Sequence, residues 1–77
     1  MRCYFNISLN GTEVPDLEGT DLPDLELVQR HALNLADELA REIPDPGDTK
    51  GNLIEVMDPA GRRVFATAIY PRNRHAA

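Results

Sequence analysis

Between residues 21 and 43, apolar side chains recur at Leu25, Val28, Ala32, Leu35, Ala36, Leu39 and Ile43. That three-and-four spacing gathers them on one stripe of a helix. A helix with a single apolar stripe has to lie on another element. The segments on either side read as strands and turns, so the chain is expected to form an α+β domain. The helix begins at Asp21 or Asp24, at the end of the acidic run Asp16-Leu17-Glu18-Gly19-Thr20-Asp21-Leu22-Pro23-Asp24-Leu25-Glu26. Asp21 is a fitting N-cap, with Pro23 in the first turn and Asp24 three positions on, where amides are unpaired and the helix dipole is positive. Pro44 and Pro46 end it. Glu26 with Arg30 and Asp37 with Arg41 are i,i+4 pairs on the solvent face, worth ~0.2–0.5 kcal/mol each.

Residues 2 to 9 alternate, Cys3, Phe5, Ile7 and Leu9 against Tyr4, Asn6 and Ser8, the pattern of a half-buried strand. Asn10-Gly11 suits a two-residue hairpin turn, and Thr12-Glu13-Val14 returns as a short edge strand that Pro15 stops. After a polar loop over residues 44–51, residues 52–58 and 62–70 read as two more strands. Asp58-Pro59-Ala60-Gly61 joins them, with Pro in the second position of a type I turn and Gly in a left-handed position. The order is β-β-α-β-β: an antiparallel sheet with one long helix packed on one face, within residues 1–70. Residues 71–77 are expected to be a disordered tail.

That final turn predicts a register of Met57 with Arg63, Val56 with Val64, Glu55 with Phe65 and Ile54 with Ala66. Ile54, Val56, Val64, Ala66 and Ala68 then lie under the helix. Leu53, Met57, Phe65 and Ile69 fall on the other face, which one helix cannot cover. Together with Tyr4 they form the candidate interface, with an exposed edge strand as the alternative surface, and the expected partner is a second copy of the chain or another protein.

Seventy-seven residues make one small domain that buries roughly 60% of its unfolded surface, so a partner subunit would add needed burial. The net charge of −5 disfavours non-specific nucleic-acid binding, which depends on Lys and Arg displacing counterions; no nucleic-acid partner is expected. Arg62, Arg63, Arg72 and Arg74 read as solvated hairpin and tail charges. A single cysteine, Cys3, excludes an internal disulfide and reads as a small buried hydrophobe. No signal-peptide run precedes residue 6 and no stretch approaches the ~20 apolar residues of a membrane span. The expectation is a soluble, cytoplasmic protein with no membrane contact.

No catalytic set stands out. Ser8, Thr12, Thr20, Thr49 and Thr67 have no nucleophile signature around them and no Gly-rich phosphate loop exists, so the chain is not expected to be an enzyme. His31 and His75 are isolated and no cofactor is expected. Asp16, Glu18 and Asp21, with Asp24 and Glu26, are weak metal candidates, because their spacing does not match a helix-loop-helix calcium loop. Capping and solubility are the favoured reading of those acids.

Arg2-Cys3-Tyr4-Phe5, Asp16-Leu17-Glu18-Gly19, Leu22-Pro23-Asp24-Leu25-Glu26 and Asp58-Pro59-Ala60-Gly61-Arg62, in that order, resemble the motifs of a family of short rhizobial-type alphaproteobacterial proteins, catalogued as a domain of unknown function. The resemblance spans most of residues 2 to 70. The chain departs from the family pattern at Cys3, Leu17 and Pro59-Ala60. Such membership implies a compact fold and a bacterial source but transfers no catalytic residue. Val14-Pro15-Asp16-Leu17 ahead of the helix is also similar to HicB-type antitoxins, although these 77 residues hold no DNA-binding appendage. The functional expectation is a self-associating protein-interaction module. The alternatives are an antitoxin-like regulator that binds a small toxin, and a weak metal or small-molecule binder.

Overall fold

The computed structural model describes residues 1–42 and 51–70. Its elements run β1 (Arg2–Leu9), β2 (Thr12–Val14), β3 (Thr20–Asp21), α1 (Leu25–Glu42), β4 (Leu53–Met57) and β5 (Arg63–Ala68). All pairings are antiparallel. The sheet order is β2-β1-β4-β5, with β3 also paired to β1, and α1 packs on one face against β4 and β5. This is the expected α+β architecture with one added two-residue strand. Ile43, most of the polar loop and the expected tail, with Arg72, Arg74 and His75, lie outside the described residues.

β1 is the central organiser, because it pairs along both edges. On one side β4 runs beside Tyr4 to Ser8. On the other, β2 covers Ile7 to Leu9 and β3 covers Arg2 and Cys3. The β1–β2 turn has positive φ at both Asn10 (52°) and Gly11 (81°), the backbone that an Asn-Gly hairpin was expected to adopt.

The helix starts at Asp24, not Asp21. The Asp24 carboxylate accepts the Leu27 amide at 2.9 Å, and its carbonyl accepts Val28 N–H at 3.1 Å, the first helical bond. Asp21 is instead drawn into β3 opposite Arg2. The buried row of the helix is Val28, Ala32, Ala36 and Ala40. Three alanines at i+4 spacing let the helix backbone come close to the sheet, while Leu35 and Leu39 pack on one flank. Leu25 is on the same stripe but lies in the first turn and remains 43% exposed. Both i,i+4 ion pairs form, Arg30 to Glu26 at 3.5 Å and Arg41 to Asp37 at 2.9 Å.

The last hairpin corrects the register. Asp58 closes the turn as expected: Gly61 N–H donates to its carbonyl at 2.9 Å, and its carboxylate accepts from Ala60 and Arg62. Met57 faces Arg63, but a bulge follows, and Val56 faces Phe65, Ile54 faces Thr67 and Leu53 faces Ala68. One extra residue, Val64, has entered β5. Every later side chain therefore changes face. Ile69, 1% exposed, joins the core, and Phe65 packs against it; neither belongs to the uncovered face. Ala66 and Ala68 move to that face in their place. The slip puts the two largest side chains of the segment beneath the helix, and each buried methylene gained contributes ~0.8 kcal/mol. The core is then Cys3, Phe5, Ile54, Val56 and Ile69 beneath the helical row.

Candidate interaction surface

The acidic segment is built into the sheet edge. Between β2 and β3 the edge of β1 lacks a strand, and Asp16 fills the gap. Its Oδ2 accepts Phe5 N–H at 3.0 Å, and its Oδ1 accepts Gly19 N–H at 3.0 Å and Glu18 N–H at 3.3 Å. The Asp16 amide in turn donates to Asn6 Oδ1 at 2.9 Å. Burial pushes the carboxyl up, but the amides of Gly19, Phe5 and Glu18, with Arg2 nearby, outweigh it and hold the group below its ordinary range. Glu18 presents its carbonyl to Arg2 Nη1 at 2.6 Å, and Asp21 pairs with Arg2 Nη2 at 3.1 Å. The three acids named as metal candidates thus act as a backbone clip, a carbonyl acceptor and an ion-pair partner. Among the described residues no group of three or more His, Cys, Asp or Glu is placed to hold a metal ion.

Of the five residues of the expected interface, three share the face opposite the helix. Tyr4 faces Met57 across β1 and β4, while Leu53 faces Ser8 on one side and Ala68 on the other. All three are half-buried. They do not form one patch, because Glu55 lies between Leu53 and Met57 on the strand and is bridged to Arg63 at 3.3 Å. Cys3 is fully buried; burial pushes its thiol up, the amino terminus opposes this, and Asp58 and Asp21 add to it. His31 sits on the helix with its ring 4.8 Å from that of Phe5. Asn52 is 3% exposed; its Oδ1 accepts Asn10 N–H at 2.8 Å, and its Nδ2 has no partner among the described residues.

Sequence reasoning allowed for an exposed edge strand without saying which one; among the described residues the candidate is the outer edge of β5. Among the described residues β5 pairs only with β4. Ile69 N–H donates to the Asn52 carbonyl at 3.0 Å, so Asn52 and Ile69 are a hydrogen-bonded pair. Alternation along the ladder makes Ile54–Thr67 and Val56–Phe65 pairs of the same kind. Ala66 and Ala68 then turn their N–H and C=O groups away from β4. A groove flanks this edge on each side. Toward the helix it is lined by Leu33, Ala36, Asp37, Ala40, Thr67, Ala68 and Tyr70. On the open face it is lined by Gly51, Asn52, Leu53, Ala66, Thr67, Ala68 and Tyr70. Leu33 and Tyr70 are 51% and 72% exposed. One signal was present in the sequence: Leu33 is an apolar residue off the helical stripe, facing a neighbour the hydrophobic pattern did not supply.

These features define a class, a small α+β domain with a helix on one face of an antiparallel sheet and, among the described residues, an open strand at one edge. The chain belongs to the family described as Domain of unknown function (DUF6894), whose model matches residues 2–70. That span takes in Asp16, Gly19, Asp24 and Asp58, the residues that shape the edge clip, the helix cap and the last turn. The comparisons with curated proteins and with solved structures gave no match. No helix among the described residues is long and apolar enough to cross a membrane.

Proposed function

We propose that the protein is a protein-interaction module that associates with a second copy of itself through its sheet. The observation that carries this is the β5 edge, with Leu33 and Tyr70 exposed beside it. A strand edge that, like this one, no strand among the described residues pairs is a template for another strand. The opposite edge is treated differently: β2 is three residues long, Pro15 follows it, and Asp16 occupies the gap before β3. The small aliphatic core supports the same reading, since a domain of this size gains from burying a further apolar strip. The acids best suited to catalysis or metal binding are engaged with backbone amides and arginines, which favours a binding role over an enzymatic one. The cytoplasm is the compartment that suits the free, buried thiol of Cys3.

Sedimentation equilibrium over a concentration series tests the reading. A molar mass that rises from monomer toward dimer is expected. A monomer that persists to about 1 mM, equivalent to an association weaker than about −4 kcal/mol, overturns it.

A further inference from the structure

We infer that the second copy docks edge to edge, β5 against β5, antiparallel about a two-fold axis centred on Thr67. This rests on the self-association just proposed and names its geometry. Only Ala66 and Ala68 within β5 direct regular N–H and C=O groups outward, because Val64 is the bulged residue and the ladder is disrupted there. An antiparallel copy that uses both residues symmetrically must set Ala66 opposite Ala68 of the second copy, and Ala68 opposite its Ala66. Both are then hydrogen-bonded pairs, and they exchange four backbone bonds. The Ala68 carbonyl already accepts the Thr67 hydroxyl at 3.3 Å, but a carbonyl has a second lone pair.

Side chains fit the same register. The edge residues are alanines, and no Lys or Pro interrupts β5. The two-fold axis is perpendicular to the sheet, so both helices lie on one side of it, and the exposed Leu33 of each copy lies in the groove that faces the other. Tyr70 of each copy comes alongside Val64 of the other. The four-strand path becomes a continuous eight-strand sheet.

The register places Thr67 opposite Thr67 of the second copy as a non-hydrogen-bonded pair. The Cα atoms of such a pair are ~4.5 Å apart, within the range that a disulfide spans. Thr67→Cys, oxidised as the full chain and run on a non-reducing gel, is expected to give a covalent dimer. The wild type, whose only thiol is the buried Cys3, and Leu53→Cys on the open face are expected to remain uncrosslinked. Amide hydrogen exchange on the unmodified protein provides a second measurement that does not depend on the variant folding. Protection at Ala66 and Ala68 is expected to rise about tenfold or more from micromolar to millimolar protein, with little change along β2. A sedimenting dimer whose Ala66 and Ala68 amides stay unprotected, or which crosslinks through Leu53→Cys instead, overturns the edge register and leaves self-association standing. A monomer at every concentration overturns both.

Discussion

The ring of Tyr4 lies directly over Gly19. A Cβ placed on Gly19 would come within 2.9 Å of Tyr4 Cε2 and 3.1 Å of the Cys3 carbonyl oxygen, and Gly19 already has a φ of +78°. The loop after Asp16 returns to β1 so closely that only a hydrogen fits between them. Gly19→Ala is therefore expected to lose both the left-handed backbone, ~1–2 kcal/mol, and the close approach, a further ~1–3 kcal/mol. Gly61, with φ +86° and nothing within 4 Å of its notional Cβ, isolates the first contribution. Urea unfolding should rank Gly19→Ala well below Gly61→Ala, and equal losses would remove the contact with Tyr4 as the cause.

Asp16 makes folding stability depend on pH. Its folded carboxyl is held below its ordinary value, so its contribution is fully present above the unfolded value of about 4 and is lost as pH falls through the depressed folded value. Asp16→Ala leaves Phe5 N–H without its acceptor and should cost about 2–3 kcal/mol at neutral pH. The measurement is the difference in unfolding free energy between wild type and Asp16→Ala. That difference should shrink as the pH is lowered from 5 toward 2. A difference independent of pH would show that the carboxylate charge is not what holds the loop.

Two neighbouring acids should behave differently. Asp24 caps the helix through Leu27 N–H, and Asp24→Ala is expected to cost about 1 kcal/mol. Asp21 makes an exposed ion pair with Arg2, so Asp21→Ala should cost ~0.2–1 kcal/mol and lose its effect in high salt. Thermal melts of both variants at low and high ionic strength separate the two roles.

The alanine row sets the distance between helix and sheet. Ala32 is fully buried, and Ala32→Leu should force the helix away from the sheet and destabilise by ~1–3 kcal/mol. Leu33→Ala, at an exposed position one residue on, is expected to leave monomer stability within about 0.5 kcal/mol. Denaturant midpoints measured at low protein concentration check both.

Much of the fold was legible because local chemistry decides it. The apolar period between residues 21 and 43 specifies a helix, Asn10-Gly11 specifies its hairpin, and Asp58-Pro59-Ala60-Gly61 specifies a turn whose hydrogen bonds form as its residues require. The start of the helix was left between two acids of equal capping chemistry. Only the pairing of Asp21 with Arg2 removed one of them.

The interface was less legible, because β5 has apolar residues on both sides. With Phe65 and Ile69 at one parity and Val64, Ala66 and Ala68 at the other, the alternation does not say which set lies beneath the helix. The bulge at Val64 decides it, and with the bulge in place the larger side chains fill the space between helix and sheet. Strand order is likewise a tertiary matter: nothing local to residues 63–68 records that β4 has its other edge against β1, leaving β5 with an edge that no strand among the described residues pairs. By itself the sequence determined the helix, the turns and the helix-on-sheet class, since these follow from neighbours along the chain. The choice of buried face and the position of the open edge were decided in three dimensions, where packing volume and backbone pairing between distant segments are settled together.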